Sequence, residues 1–237
     1  MNSAVTAIRN DAADLTAPAA AGYSARQNVV LETALALLVE GGEKALTTAG
    51  VARAANCSKE SLYKWFGDRD GLLAAMITFQ SSKVRGASGA DAPSTRSGFR
   101  TSLVGFAEDL LKVLSGDVSL ALNRLAIGEA RRDAAPLGRL VREHGRRPIE
   151  ARLSALLESG RTLGFIVFDD TRETYRTLYG LIVRDMHVRL LLGEAGGYDL
   201  AADAGRAIDQ FLRLFGVSEE ASEPGRQRPG AGNERTG

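Results

Sequence analysis

Thr47-Thr48-Ala49-Gly50-Val51-Ala52-Arg53-Ala54-Ala55-Asn56-Cys57-Ser58-Lys59-Glu60-Ser61-Leu62-Tyr63-Lys64-Trp65-Phe66 contains two helix starts within twenty residues. Thr47 and Ser58 each stand where a hydroxyl caps a helix N-terminus, which divides the stretch into one helix to about Ala55 and a second over 59–66. Asn56 lies between them, where a tight turn needs a positive backbone dihedral and Asn is the best non-glycine residue for it. Val51, Ala52 and Ala55 face inward on the first helix, and Leu62 and Phe66 anchor the second. The small alanines let the two helices cross closely at a steep angle, the anatomy of a helix-turn-helix. Lys59 and Tyr63 are four apart, as are Glu60 and Lys64, so these four share a face turned away from Leu62 and Phe66. A helix about 10–12 Å across fits the major groove of B-DNA, and this is the face that would meet it.

Working outward, Ser24 and Gln27 form a capping box for a preceding helix, expected to end at Gly41-Gly42, with Val30, Ala34, Leu37 and Leu38 on one stripe. Downstream, Asp68 or Asp70 starts a helix carrying Leu72, Leu73, Met76 and Phe79 to about Lys83, and Gly86–Ser94 reads as a linker. Longer helices are expected at about 95–115, 117–132, 136–161, 170–192 and 199–216. Pro148 must kink or split the third of these, since it removes a donor and clashes one turn back. Gly164–Phe168 is strand-like in composition but has no partner strand, so it reads as an apolar connector into a helix capped by Asp169 or Asp170. The fold class is therefore all-α: an N-terminal three-helix helix-turn-helix domain, extended by the helix from Asp68, plus a larger C-terminal helical bundle, about nine or ten helices in all. The expected domains are 23–85 and 94–216. They are flanked by disordered tails, 1–22, Ala-rich and aperiodic, and 217–237, rich in Gly, Pro, Glu and Arg.

Thirty Lys+Arg against 29 Asp+Glu over 237 residues, with 44% apolar residues, describe an ordinary globular chain rather than a collagenous or wholly disordered one. Over 23–87 there are eight Lys/Arg against six Asp/Glu, so any nucleic-acid contact is made by a basic face and not by a basic protein. The single cysteine, Cys57, excludes an internal disulfide, and the two histidines, His144 and His187, lack metal-ligand spacing; no metal and no cofactor are expected. No apolar run approaches the roughly 18–20 residues of a membrane span, and no secretory signal opens the chain, so no membrane partner and a cytoplasmic location are expected. Gly-x-Ser-x-Gly, phosphate-binding Gly-rich loops and His-Glu-x-x-His are all missing, which argues against an enzyme. The competing reading is a helical adaptor, or another interaction protein that does not bind DNA.

The run Ser58-Lys59-Glu60-Ser61-Leu62-Tyr63-Lys64-Trp65-Phe66-Gly67-Asp68-Arg69-Asp70-Gly71-Leu72-Leu73 resembles the recognition-helix signature of TetR-family transcriptional regulators. Gly42, Thr47, Val51-Ala52 and Ala55 fit the same pattern upstream, so the resemblance covers roughly residues 24–85. Asn56 replaces the usual turn Gly and Cys57 the usual Val, and Glu60 stands where a small residue, Arg or Pro is commoner. A weaker similarity, Arg124-Leu125-Ala126-Ile127-Gly128-Glu129-Ala130 followed by Pro136-Leu137, points to the subgroup with an AefR-like C-terminal domain.

The resemblance implies a sequence-specific DNA-binding regulator, a repressor released by a small-molecule effector, whose partners are a double-stranded operator, a second copy of itself and an unidentified small molecule. Tyr63 and Arg69 would hold phosphates, as would Thr47 or Thr48 at a helix N-terminus. Lys59 and Lys64 can reach guanine O6/N7, and Glu60 can accept from a cytosine amino group. Ser58, Ser61 and Trp65 complete the candidate DNA surface. Two alternatives stay open: a solvated Glu60–Lys64 ion pair, and Trp65 packed under the next helix instead of against sugar. Cys57 reads as a small core residue. Candidate effector-lining residues are Phe99, Phe106, Asn123, Tyr175, Tyr179, Met186 and His187, each also an ordinary core or interface type. Candidate dimer-interface residues are Leu181, Val188 and Leu192 on the helix 170–192, and Ile208, Phe211 and Phe215 on the last helix, burial within one subunit being the other reading.

Overall fold

The computed structural model describes residues 22–86, 93–130, 136–194 and 196–217. The expected tails, apart from their inner ends, and most of the 86–94 linker lie outside the described residues. Every described element is helical: α1 Ala25–Ala45, α2 Thr48–Ala54, α3 Lys59–Phe66, α4 Arg69–Ser82, α5 Arg96–Ser115, α6 Asp117–Glu129, α7 Pro136–Leu140, α8 Arg147–Thr162, α9 Thr171–Val183, α10 Met186–Leu191 and α11 Leu200–Phe215. A π-helical turn, Val141–Arg146, joins α7 to α8 without interruption.

Local chemistry sets most of the starts. Ser24 and Gln27 close the capping box of α1, Thr47 caps α2, Ser58 caps α3, Asp68 caps α4 and Asp170 caps α9, each accepting from the backbone amide three residues on. α1 breaks at Gly42, at a positive φ of 63°, but a further turn carries it to Ala45. The single helix expected over 170–192 is two: Arg184, at φ 47°, ends α9 and α10 restarts at Met186. Gly164–Phe168 behaves as the expected connector and finds one partner: Ile166 forms an isolated antiparallel bridge with Gly216, and the Val167 amide donates to the Phe215 carbonyl at 2.9 Å.

The helix expected over 136–161 is divided ahead of Pro148 by the π-helical turn into α7 and α8. Pro148 sits in the first turn of α8, just after the π-helical turn, where its missing N–H leaves the His144 carbonyl without the usual donor. Ser81 Oγ at the end of α4 donates to that carbonyl at 2.9 Å. The Arg152 guanidinium, one turn further along α8, donates back to the Ser81 and Val84 carbonyls at 2.9 and 3.4 Å, taking up the free carbonyls at the C-terminus of α4. Asp109 on α5, buried, holds the Arg85 side chain at 2.9 Å immediately beyond. The end of α4 is therefore tied to α5, the π turn and α8 at once.

Two apolar cores result. One gathers α1–α4 around Leu31, Leu38, Leu73 and Met76, and it also takes Leu122 from α6 and Leu137 and Leu140 from α7. The helix-turn-helix unit expected over 23–85 thus completes its interior with three leucines from further along the chain. The other core packs α5, α8, α9 and α11 around Phe99, Phe106, Leu153, Tyr175 and Phe211. At its tightest point Gly160 of α8 lies under the Phe99 ring, where a Cβ would overlap ring carbons. Gly160→Ala is expected to destabilise the protein by about 1–3 kcal/mol, as for other overpacked cores, and to lower the thermal unfolding midpoint by several degrees; an unchanged midpoint would show that the ring has room to shift.

Candidate functional site

The turn between α2 and α3 has the conformation the sequence asks of it. Asn56 adopts φ 51°, and the Cys57 amide returns to the Ala52 carbonyl at 2.9 Å. A residue that sequence reasoning missed completes it: Arg26, in the first turn of α1, donates to the Ala55 and Asn56 carbonyls at 2.8 and 2.7 Å. No local pattern marks Arg26, because its partners lie 29 and 30 residues away. The clamp fixes how α3 leaves the body of the molecule.

On α3, Leu62 and Phe66 point into the first core, and Ser58, Lys59, Glu60, Tyr63 and Lys64 are exposed, Tyr63 by 56%. Ser61 is half-buried, with its hydroxyl 3.0 Å from that of Ser58. Trp65 is half-buried edge-on to Phe66, ring centres 6.2 Å apart, and so packs on the core. Cys57 is half-buried beside the same core. No Glu60–Lys64 ion pair forms among the described residues, so both charges on this face are free to meet a partner.

Beside α3 a shallow crevice is walled by Lys44, Thr47, Thr48 and Arg69, with Glu43 at its edge. Tyr63 joins Thr48 and Arg69 around a small adjoining pocket, so the structure brings all four expected phosphate-contacting residues together, and the crevice adds Lys44, which stands three residues ahead of the Thr47 cap. Arg69 is engaged with Glu43 at 2.6 Å, both side chains well exposed.

The second feature is a cavity of about 690 Å³ between the two cores, walled by α4, α5, α6, α7, the π turn, α8, α9 and α10. Asn123, Tyr175, Tyr179 and His187 line it as expected candidates. Phe99, Phe106 and Met186 do not. They are buried side chains of the second core, where apolar residues of the same helices pack inward and away from the cavity. The wall also carries Gln80 and Ser81 of α4, and the arginines 142, 146, 147, 172 and 176. Burial raises the Tyr175 phenol to about 12 and also raises Tyr179, and it lowers the His187 imidazole, so all three are neutral near pH 7.

The candidate dimer residues separate into two groups. Ile208 and Phe211 are fully buried in the second core and present nothing to a second subunit, because the wide apolar stripe of α11 is turned toward α5 and α9. Leu181 and Phe215 are half-buried, and Val188 and Leu192 are exposed by 58% and 76%. Leu214 is likewise 67% exposed, on the outer side of α11. Arg124 of α6 caps α10, donating to the Leu190 and Leu191 carbonyls at 2.6 and 3.0 Å.

No helix among the described residues is long and apolar enough to cross a membrane, and no group of three or more potential metal ligands occurs among them. Residues 30–76 match the family profile of bacterial regulatory proteins of the tetR family, and residues 101–217 match that of the AefR-like transcriptional repressor C-terminal domain. No curated protein matches the chain. Among solved structures, a TetR transcriptional regulator from Agrobacterium tumefaciens is 60% identical, with 85% of this chain and 100% of that one covered at a TM-score of 0.73. A TetR-family regulator from Rhodococcus sp. is 25% identical, covering 79% of this chain and 98% of that one at a TM-score of 0.58. One from Mesorhizobium loti, 21% identical over 81% and 97% of the two chains at a TM-score of 0.62, shares the fold. The profiles at both ends of the chain and the 60% identity over a full-length relative agree with the outward face of α3: the chain belongs to the TetR family, a non-enzymatic DNA-binding transcriptional regulator with an AefR-like C-terminal domain.

Proposed function

We propose that the protein is a homodimeric repressor that reads a two-fold operator through α3 and releases it when a small molecule fills the cavity between the cores. The observation that carries this reading is the exposed, unpaired set Lys59, Glu60, Tyr63 and Lys64 on a helix held by a clamped turn. Lys59 and Lys64 contact base edges, Glu60 selects for cytosine, and Tyr63 reaches a phosphate. Thr47, Thr48, Lys44 and Arg69 seat the flanking phosphate in their crevice. The exposed Arg69–Glu43 pair is worth only about 0–1 kcal/mol, so Arg69 exchanges Glu43 for a phosphate at little cost. Ser58 caps the helix by accepting from the Ser61 amide, both serines border the same face, and Trp65 supports it from below. Operator DNA places the working protein in the cytoplasm.

One reading helix contacts few base pairs, so two subunits are needed on half-sites about 34–36 Å apart. The seam proposed here runs over Val188 and Leu192 on α10, with Leu181, Leu214 and Phe215 beside it, since exposed apolar side chains of this size mark an interaction surface. The effector enters the cavity lined by Asn123, Tyr175, Tyr179 and His187. Its coupling to DNA runs through α4, which carries Ile77, Gln80 and Ser81 on the cavity wall and starts directly after the reading helix.

Fluorescence anisotropy with a duplex from upstream of the protein's own gene tests the DNA face. Tyr63→Ala/Lys64→Ala is expected to weaken binding by about 10- to 100-fold and to flatten its salt dependence, with little change in thermal midpoint; wild-type affinity in that variant overturns the assigned face. Arg26→Ala touches no DNA in this reading, yet loss of two hydrogen bonds to the turn, worth about 1 kcal/mol, should cost operator affinity of order tenfold. Full affinity there would show that the turn holds without its clamp. Val188→Glu/Leu192→Glu is expected to give monomers in light scattering and to lose operator binding; a dimer that persists places the seam elsewhere.

A further inference from the structure

Among the described residues, three polar atoms buried at the wall of the 690 Å³ cavity have no hydrogen-bond partner. Gln80 Oε1 and the Tyr175 hydroxyl belong to side chains that are more than nine-tenths buried, both line the cavity, and neither has a hydrogen-bond partner. His187 Nε2, on a half-buried side chain, is a third buried atom without a partner on the same wall. Buried polar groups of this kind ordinarily carry a partner, so three without one beside a single cavity mark it as a candidate ligand site.

The charge of the lining is one-sided. Arg142, Arg146, Arg147 and Arg172 line the cavity and are also exposed, which places them where it opens to solvent, and none of them forms an ion pair among the described residues. Arg176, a fifth, is taken by Glu173 at 2.6 Å, and Glu150 is the one carboxylate on the wall. The Arg146 guanidinium lies 5.5 Å from the centre of the Tyr179 ring, directed over the cavity wall by an aromatic face. Deeper in, the wall turns apolar with Ile77, Leu110, Val113, Leu114, Leu122 and Ile149. Guanidinium forks at the mouth match a carboxylate bidentately, and an apolar floor requires an apolar body.

We infer that the effector is an organic acid: a drug-sized molecule whose carboxylate is held by the arginines of the π turn and α8–α9, and whose apolar body lies against α4, α5 and α6 with a hydrogen-bonding group reaching Gln80, Tyr175 or His187. This rests on the reading of the cavity as the effector site and adds the chemical class. It also gives the signal a direct route. Arg142, Arg146 and Arg147 stand on the helix whose His144 carbonyl is bonded to Ser81, and Gln80 precedes Ser81 on α4, so one bound acid touches both sides of the joint next to the reading head.

The test uses the full chain without DNA. Calorimetry and thermal shift are run with benzoate, 4-hydroxybenzoate, octanoate and dodecanoate, with the corresponding neutral amides, and with inorganic phosphate. At least one carboxylate is expected to bind and to raise the unfolding midpoint, its amide binding at least tenfold more weakly. Arg146→Gln/Arg172→Gln should lower the affinity for that acid at least tenfold and leave the amide unchanged; if the double variant fails to fold, the single variants carry the same comparison. Failure of every carboxylate to bind wild-type protein, amides that bind as well as acids, or phosphate alone producing the whole shift as an adventitious ion only would each overturn the assignment. Anisotropy on operator DNA with the bound acid is a separate arm. Acid binding with no loss of operator affinity leaves the ligand class standing and removes the effector role proposed above.

Discussion

The hydroxyl of Ser81 on the His144 carbonyl is the contact through which the two halves of the molecule hold their places. Pro148 creates the need by withdrawing an amide from one helix, and the last turn of α4 meets it. Arg152 returns the exchange by covering the carbonyls at the end of α4, so each helix satisfies what the other lacks. In the reading proposed above, a movement of the π turn reaches α3 along α4, which begins at Arg69 directly after the reading helix. π-helical turns concentrate at functional sites because an extra residue in the ladder can be gained or lost at modest cost, and this one lines the cavity over half its length.

The same joint explains how a nearly neutral protein presents a usable binding surface. Its total charge is +1, yet positive groups are gathered in two places, the crevice and face around α3 and the rim of the cavity. Between these lies the first core, whose buried leucines come from residues 31–73 and 122–140. Electrostatics at either site is therefore local, acting within a few ångströms and screened beyond about 8–10 Å in physiological salt. Communication between them has to be mechanical, through packed helices, and not through field.

The reading head was almost wholly legible in the sequence because its signals are local. Thr47, Ser58 and Asp68 announce helix starts, Asn56 announces the turn, and the four-residue spacing of Lys59/Tyr63 and Glu60/Lys64 assigns the outer face. What escaped depends on residues distant in sequence. Arg26 reads as a surface arginine until the carbonyls of Ala55 and Asn56 come beneath it. The break at Arg184 has no glycine or proline to mark it, and it is held from α11 by Gln210, whose amide oxygen accepts from the Arg184 guanidinium at 3.3 Å. Periodicity showed that α9 and α11 are apolar on two sides, but it does not say which side meets the chain itself; Ile208 and Phe211 went inward while Val188 and Leu192 stayed out. The cavity is the extreme case, since its wall draws on eight segments and its unpartnered hydrogen-bonding groups become visible only when those segments are assembled.

The leucines that α6 and α7 lend to the first core also govern the order of events while the chain is being made. α2 and α3, at seven and eight residues, are too short to persist alone, and the interior that supports them is finished only by Leu122, Leu137 and Leu140. At about 5–20 residues per second, several seconds pass on the ribosome between emergence of the reading helix and emergence of its last supports. A nascent chain of this protein therefore completes the core beneath its reading helix only after α6 and α7 have emerged.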